Sequence, residues 1–195
     1  MTRALVTGFE PFGGAAVNAS QKLVEALAAD PPAGLELTTA VLPVAWARAA
    51  DELERALESA QPELVVCFGQ ADGSAHVEIE RFALNFDDGS DDTGETRRAE
   101  IDPEGPIAYR SSLHVDAMVE ALRAEGIPAA ASRDAGGFLC NHVFYVLMRV
   151  LAERAAVRGG FVHVPLLPEQ ALDRATPTVP LATLVRAART ILATA

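Results

Sequence analysis

The residues that could carry out chemistry are concentrated in one stretch, residues 133–145, which reads RDAGGFLCNHVFY. Two glycines, Gly136 and Gly137, form a turn there, and a helical pattern begins at Leu139. Cys140 therefore falls in the first turn of a helix, where unpaired N–H groups and the positive end of the helix dipole attract an anion. This environment favours the thiolate, the nucleophilic form of cysteine, and the same N–H groups can stabilise an oxyanion. The stretch predicts a cysteine nucleophile that attacks a carbonyl group.

The alternative interpretation of Cys140 is a small hydrophobic residue on the buried face of its helix, where free cysteines usually lie. Four histidines could serve as its base: His76, His114, His142 and His163. His142 lies two positions after Cys140, so it points to another side of the helix and is interpreted as a packing residue. His163 ends a predicted strand, at the edge where such folds bind ligands, and is the predicted base. The spacing of the histidines and cysteines fits no zinc site, so no metal is expected.

Two other groups of reactive side chains have simpler interpretations. Cys67 lies inside an apolar run at residues 63–69 and is predicted to be a buried core thiol. Residues 76–86 alternate in polarity, carry Glu78 and Glu80 on one face and predict a hairpin arm beside the main sheet. Composition alone does not choose either carboxylate as catalytic.

The elements that must position these residues alternate between strand and helix along the chain. Strands are predicted at residues 4–7, 35–44, 63–69, 127–132 and 159–165. Helices are predicted at about residues 21–29, with Asn18 or Ser20 as the N-cap, and at 46–60, 115–125, 139–155 and 181–192. This alternation predicts an α/β fold with an open, mostly parallel sheet that binds its ligand at the carboxyl ends of the strands.

Composition limits the possible partners. A chain of 195 residues that is half hydrophobic predicts a single domain over residues 1–195. The formal net charge of −11 includes no basic stripe, which argues against nucleic acid as a partner. Two cysteines without a C-x-x-C motif predict reduced thiols and a cytoplasmic location. No apolar run is long enough to span a bilayer, so no membrane partner is expected.

Two further segments of the sequence are predicted to be loops. Residues 8–14 follow the first strand but lack the Lys-Ser/Thr pair of a phosphate-binding loop, and their phenylalanines, Phe9 and Phe12, suggest a rigid apolar wall. Residues 87–105 contain eight acidic side chains in a run with Gly and Pro. Their spacing does not match a calcium loop, so a mobile acidic loop is expected.

Four blocks of the sequence occur in the order found in one known family. They are TGFEPFGG with VN (7–14, 17–18), GQA with IERFALN (69–71, 79–85), AGGFLCNH (135–142), and GGFVHVP with PEQ (159–165, 168–170). Together they cover nearly the whole chain. The sequence resembles the type I pyroglutamyl peptidases, also called pyrrolidone-carboxylate peptidases.

The resemblance implies a cysteine peptidase that removes an N-terminal pyroglutamyl residue from peptides, on a three-layer α/β/α fold without cofactors. It implies that Cys140 is the nucleophile, His163 the general base and Glu80 the carboxylate that orients the imidazole. The residues implied to form the lactam pocket are Phe9, Phe12 and Leu139 as its walls and Gln70 as a backbone contact. A homo-oligomer, either a dimer or a tetramer, is expected.

One position departs from the family pattern. Members usually carry an arginine soon after the Glu-Arg segment, and Ser90 stands at that place in this chain. The departure affects the substrate contacts and subunit packing expected of this loop, for which Arg97 or Arg98 is a possible substitute.

Two functions from other classes are alternatives. A nucleoside phosphorylase-like enzyme could share such a fold, but the phosphate-binding loop and arginine clamps that it needs are not found in the sequence. A non-catalytic protein that binds pyroglutamyl peptides would explain the altered loop, although the presence of Glu80, Cys140 and His163 argues against it.

Overall fold

The computed structural model describes residues 1–195 as one central sheet with helices on both faces. The strands of the central sheet are β1 (Thr2–Phe9), β2 (Leu35–Leu42), β3 (Leu64–Ala71), β4 (Val77–Glu80), β9 (Ala129–Ser132) and β10 (Arg158–Pro165). The short strands outside it are β5 (Phe82–Leu84), β6 (Asp87–Ser90), β7 (Thr96–Ala99) and β8 (Ala108–Arg110). The helices are α1 (Ala19–Ala29), α2 (Trp46–Ala60), α3 (Val115–Ala124), α4 (Leu139–Ala152) and α5 (Leu181–Thr194), with a short 3₁₀ helix at Pro168–Gln170.

The six strands of the sheet lie in the order β2-β1-β3-β10-β4-β9. The first four run parallel to one another, whereas β4 is antiparallel to β10 and parallel to β9. The sheet is therefore mixed, with four strands in one direction and two in the other. The predicted α/β/α fold is confirmed.

The two faces of the sheet bury separate hydrophobic clusters, because successive side chains of a strand point to opposite faces. In β1, Ala4 and Val6 join the cluster formed with α1, α3 and α5, while Leu5 and Phe9 join the cluster formed with α2 and α4. Strands buried on both faces need apolar side chains at nearly every position, which explains the continuous apolar runs in β1 and β3.

The same alternation decides which layer contains the polar residues of β4 and β10. Ile79 and Val162 face the cluster of α1, α3 and α5. Their neighbours Glu80 and His163 therefore face the opposite layer, towards the N-terminus of α4. Phe161 lies on the same face as His163, with ring centroids 5.0 Å apart.

The prediction of a hairpin arm at residues 76–86 was wrong. Val77–Glu80 is an internal strand of the sheet, between β10 and β9, and only Phe82–Leu84 leaves the sheet, to pair with Ala108–Arg110. Because Glu78 and Glu80 are polar, the alternation in the sequence predicts a strand with one face in solvent. Glu80 is in fact fully buried beneath the N-terminal region of α4, so polarity on this face does not indicate exposure to solvent.

The expectation of a mobile acidic loop at residues 87–105 was also wrong for residues 87–99. Strands β6 and β7 form a two-stranded antiparallel hairpin, which is the hairpin arm of this fold. Asp87 and Asp91 are buried and accept hydrogen bonds instead of being solvated. These bonds offset the cost of burying their charges.

Most element boundaries lie within three residues of the predicted ones. Asn18 is the N-cap of α1, where its side chain accepts a hydrogen bond from the backbone N–H of Ser20 at 2.9 Å. No helix of the fold combines the length and the apolar character that crossing a membrane requires.

Candidate active site

The predicted nucleophile, Cys140, is the second residue of α4 and lies directly over strand β3. A Cβ atom at Gly69 would lie 2.7 Å from the Cys140 sulfur and 2.8 Å from the ring of Phe161. The absence of a side chain at Gly69 therefore creates the space that the thiol occupies. The N–H groups in the first turn of α4 have no partner within the helix and are available to an anion next to this sulfur.

The predicted base, His163, lies beside the thiol because of strand register. His163 on β10 is the direct neighbour of Gly69 on β3, the residue over which the Cys140 sulfur lies. Its Nδ1 atom is 2.8 Å from Oε1 of Glu80. A carboxylate at this distance accepts a hydrogen bond from Nδ1–H and leaves Nε2 as the nitrogen that exchanges a proton with a substrate or a thiol.

The environment of His163 favours its charged form. Burial alone would lower its pKa, but the negative charge of an ionised Cys140 and the hydrogen bond to Glu80 raise this pKa to about 10. Beside a Cys140 thiolate the imidazole is therefore protonated at neutral pH, and the two side chains can form an ion pair.

The structure shows which of the two carboxylates, Glu78 or Glu80, is bonded to His163, and the sequence alone did not. Glu78 is the direct cross-strand neighbour of His163, yet its Oε1 accepts a hydrogen bond from Ser74 at 3.1 Å and lies 3.2 Å from Nε2 of His76. Glu80, two residues further on and fully buried, is the carboxylate bonded to His163. Its second oxygen has no hydrogen-bond partner in the protein.

Glu78, Glu80 and His163 also bring one ligand atom each within 4.8 Å of one another, which is close enough for a shared metal ion. A metal binds the neutral form of histidine and must displace a proton from it. In the structure, Nδ1 of His163 and Oε1 of Glu80 are instead joined by a hydrogen bond of 2.8 Å.

A small apolar pocket, with a cavity volume of about 20 Å³, opens next to the Cys140 sulfur. Its lining consists of Phe9, Phe12, Asn18, Val44, Gln70, Phe138, Leu139 and Cys140. All four residues predicted for the pocket are in this set, and none of the lining residues carries a formal charge. Asn18, Val44 and Phe138 were not predicted. Phe138, immediately before α4, could have been found from its place beside Cys140, but Val44 follows a strand that gives no such signal.

Gln70 contributes to this pocket from the end of β3. Its side-chain oxygen accepts hydrogen bonds from the backbone N–H of Ala19, at 3.1 Å, and from Nε2 of Gln170, at 2.9 Å. That oxygen is occupied by structural contacts, so a substrate contact of the kind expected for Gln70 falls to its backbone.

His142 has a different environment from His163. Its Nδ1 atom lies 2.9 and 3.0 Å from the two carboxylate oxygens of Asp87, and its ring meets Trp46 edge to face at 5.6 Å. Both members of this pair are buried, and neither lines the pocket. His142 is thus a packing residue with a satisfied hydrogen bond, as its position in the helix suggested.

Cys67 is fully buried in β3. Burial raises the pKa of its thiol to about 12. The thiolate is therefore scarce at neutral pH, and Cys67 is chemically inert by comparison with Cys140.

No arginine takes part in lining the pocket. Ser90, at the position where an arginine was expected, bonds to Thr96 across the hairpin at 2.6 Å. Arg98 is exposed and lies 3.9 Å from Asp88. Arg97 places its guanidinium over the ring of Trp46, 5.5 Å from the centroid.

Comparison with known proteins gives one family. The family model described as pyroglutamyl peptidase matches residues 2–195 of this chain. The pyrrolidone-carboxylate peptidase of Streptomyces coelicolor is 45% identical over 199 aligned residues, which cover 100% of this chain and 92% of that protein. The enzyme of the same name from Bacillus licheniformis is 41% identical, with 96% of this chain and 89% of that protein covered.

Solved structures agree with the sequence relatives. The crystal structure of pyroglutamyl peptidase I from Bacillus amyloliquefaciens is 35% identical and superimposes with a TM-score of 0.96, covering 100% of this chain and 97% of that one. The pyrrolidone carboxyl peptidase of Thermococcus litoralis is 32% identical with a TM-score of 0.95, covering 100% of this chain and 93% of that one.

Proposed function

This chain belongs to the pyroglutamyl peptidase family, and we propose that it is a cysteine peptidase that removes an N-terminal pyroglutamyl residue from peptides. The observation that carries the proposal is the position of the Cys140 thiol. It lies at the N-terminus of α4, beside a histidine bonded to a buried glutamate, and it borders an uncharged pocket. Nucleophile, base and orienting carboxylate are the three parts that acyl transfer by a cysteine requires.

The reaction begins when His163 holds the proton of the Cys140 thiol and the thiolate attacks the carbonyl carbon of the scissile amide. The new C–S bond places negative charge on the carbonyl oxygen, where the free N–H groups at the start of α4 can stabilise it. His163 then gives its proton to the leaving nitrogen as the C–N bond breaks. A pyroglutamyl thioester remains on Cys140, and the shortened peptide leaves.

Hydrolysis of the thioester uses the same residues in the reverse roles. His163 takes a proton from water, the hydroxide attacks the thioester carbonyl, and the C–S bond breaks to release pyroglutamic acid and the thiolate. Throughout, Glu80 accepts the hydrogen bond from Nδ1 and keeps Nε2 directed towards the reacting atoms.

The pocket explains the choice of substrate. Its walls, Phe9, Phe12, Phe138 and Leu139, are apolar, and no Asp, Glu, Lys, Arg or His lines it. A neutral lactam ring can enter without leaving an uncompensated charge, whereas a protonated α-amino group would lose its hydration and find no carboxylate in the pocket to replace it. Backbone groups at Gln70 remain to bond the lactam amide.

The two alternative functions are less well supported. A nucleoside phosphorylase-like enzyme needs cationic groups for phosphate, and no Lys or Arg lines the pocket at Cys140. A non-catalytic binding protein would not need His163 to be bonded to a buried glutamate beside a cysteine at a helix N-terminus.

The direct test is the release of a fluorogenic amine from its pyroglutamyl amide. We expect the wild type to release the amine and Cys140→Ser to release essentially none. Cys67→Ser is the matched control, because it removes the other thiol from a buried site away from the pocket. A Cys140→Ser variant as active as the wild type would overturn the mechanism.

The proposal extends to domain organisation, assembly and location. We propose that residues 1–195 act as one catalytic domain, because a single sheet takes strands from both ends of the chain. We also propose a homo-oligomer, since Leu84, Phe86 and Ile107 expose apolar side chains close together on one surface. The two free thiols favour a cytoplasmic location.

A further inference from the structure

The acidic hairpin formed by β6 and β7 lies outside the catalytic residues but touches three of the segments that carry the pocket walls. These segments are the loop that contains Phe12, the strand exit that contains Val44, and the turn that contains Phe138. They are far apart in sequence, so an element that contacts all three can fix their mutual positions.

The first contact is with the Phe12 loop. The carboxylate of Asp92 accepts a hydrogen bond from the backbone N–H of Gly13, with its two oxygens at 3.1 and 3.3 Å from that nitrogen. Gly13 has a φ of +60°, a conformation that glycine adopts without strain. The loop is thus held to the hairpin at the residue directly after the pocket wall.

The second contact is with the segment that contains Val44 and the start of α2. The backbone N–H of Asp92 donates to the carbonyl oxygen of Val44 at 3.2 Å, and the backbone N–H of Trp46 donates to Oδ2 of Asp91 at 3.0 Å. The N-cap residue of α2, Ala45, has no side chain that can accept such a bond. Asp91 therefore caps α2 from a distant part of the chain.

The third contact is with the turn before α4. The N–H of Asp88 donates to the carbonyl oxygen of Gly137 at 2.6 Å. A Cβ atom at Gly89 would lie 2.8 Å from the ring of Phe138, so the hairpin backbone packs directly against this wall. Phe138 in turn meets Trp46 edge to face at 5.2 Å and Phe12 at 6.3 Å.

Asp91 links the hairpin's own turn to these contacts. Its Oδ1 accepts hydrogen bonds from the N–H and the hydroxyl of Thr93, at 2.9 and 2.7 Å, and from the N–H of Glu95, at 3.0 Å. Burial alone would raise the pKa of Asp91, but the bonds from Thr93 and from the backbone of Trp46 and Glu95 hold it below its ordinary value. One ionised carboxylate therefore shapes the turn and holds α2.

We propose that the β6–β7 hairpin is a clamp that sets the width of the substrate pocket, with Asp91 and Asp92 as positioning residues for substrate binding. The identity of the ligand, a pyroglutamyl ring, rests on the proposed function. The clamp acts on the pocket walls and not on the thiol, because none of its contacts involves Cys140, His163 or Glu80. Its loss should weaken binding and leave the chemistry of the thiolate intact.

Asp91→Asn is the sharpest test of the clamp. An asparagine can keep its oxygen towards the three donors of the turn, and its NH₂ group then faces the N–H of Trp46, where the hydrogen bond is lost. We expect KM for a pyroglutamyl amide to rise about tenfold, with kcat within about twofold of the wild type. The rate at which iodoacetamide alkylates Cys140 should not change, since that reagent does not need the pocket walls.

Asp92 offers a second pair of variants at an exposed position where folding is not at risk. Asp92→Ala removes the acceptor for Gly13 and should raise KM, whereas Asp92→Asn keeps an oxygen acceptor and should restore most of the affinity. Glu104→Gln is the matched control: it removes one negative charge from the same acidic segment, and its side chain makes no hydrogen bond in the protein. We expect that variant to behave like the wild type.

The clamp can also be measured without a substrate, because Trp46 is the only tryptophan of the chain and is fully buried. Acrylamide should quench its fluorescence more strongly in Asp91→Asn than in the wild type or Glu104→Gln. If the wild type cleaves the amide and KM is unchanged in Asp91→Asn and Asp92→Ala, the clamp is refuted. A parallel fall in kcat and in alkylation rate would refute it too. If the wild type does not cleave the amide, the proposed function fails, and unchanged quenching in Asp91→Asn then refutes the clamp by itself.

Discussion

The protonation state of His163, which depends on Cys140 and Glu80, determines the pH range in which the site is reactive. His163 has a pKa raised to about 10, with Cys140 and Glu80 as the groups that raise it. A raised pKa means that the interactions of the charged imidazole are fully present below its ordinary pKa and are lost as the pH rises through about 10. The imidazolium is therefore available through the neutral range, and the alkaline limit of activity lies well above it.

Glu80→Gln should move this alkaline limit to lower pH. Glutamine can accept the hydrogen bond from Nδ1 but has no negative charge to stabilise the imidazolium, so the pKa of His163 should fall. The measurement is the pH dependence of kcat/KM in both proteins. Glu104→Gln is the control, because it removes one negative charge from an exposed position outside the site. If kcat/KM falls at the same alkaline pH in Glu80→Gln as in the wild type, the role given to Glu80 is contradicted.

Alkylation should distinguish the two thiols. We expect iodoacetamide at neutral pH to modify Cys140 alone and to abolish activity, because burial holds the pKa of Cys67 at about 12. Peptide mapping by mass spectrometry gives the labelled residue. Labelling of Cys67 at a comparable rate in the folded protein would show that the burial of this thiol does not protect it.

The two buried histidines should fail in different ways when replaced. His163→Ala should lower kcat/KM by about 10³-fold or more, because triad residues act as a unit. His142→Ala should instead lower the free energy of unfolding by about 3 kcal/mol, since it leaves the buried carboxylate of Asp87 without its main partner. Kinetics and denaturant unfolding of both variants check this contrast, and the reverse pattern would exchange their roles.

At the scale of elements, the contact between β3 and the start of α4 is the tightest point of the site. Gly69→Ala should lower kcat/KM by about 100-fold, because a methyl group 2.7 Å from the Cys140 sulfur must displace it. Gly73→Ala is the control: no atom lies within 4 Å of the added methyl group, although its φ of +84° makes the change mildly strained. Equal activity of the two variants would show that the thiol is not confined by β3.

Local patterns in the sequence were sufficient for the elements that bury apolar side chains. The apolar run of β3 and the helical period after Leu139 are properties of consecutive residues, and both elements are found where they were predicted. The placement of Cys140 in the first turn of α4 follows from them. The four residues that the resemblance implies for the pocket, Phe9, Phe12, Gln70 and Leu139, line one cavity beside Cys140.

The elements that were misassigned depend on partners far away in sequence. Strand β4 pairs with β10 and β9, and the N-terminal region of α4 covers Glu80 on its polar face. All of these residues lie more than fifty positions later in the chain. The hairpin of β6 and β7 is ordered by contacts of Asp91 with Trp46 and of Asp92 with Gly13. The number of acidic residues in a segment predicts a solvated loop. It does not show which distant N–H groups will donate hydrogen bonds to the carboxylates.

At the scale of the whole molecule, the sheet separates structural packing from chemistry. The face covered by α1, α3 and α5 contains an apolar cluster of 26 buried residues, whereas the face covered by α2 and α4 also holds His163, Glu80 and the pocket. The chain has a net charge of −11, yet no acidic or basic side chain lines the pocket beside Cys140. The molecule as a whole is therefore suited to a neutral ring at the end of a peptide.

The measurement that tests this conclusion most directly compares a pyroglutamyl amide with the matching prolyl amide. Proline has the same ring size but lacks the ring carbonyl and carries a charged amine, so it would leave polar groups of the pocket unpaired. Sites that bond such groups reject an analogue lacking them by about 10⁴-fold, and we expect kcat/KM for the pyroglutamyl amide to exceed that for the prolyl amide by about this factor. Comparable rates for the two amides would contradict the proposal, because the pocket would then be only a ring-sized apolar slot.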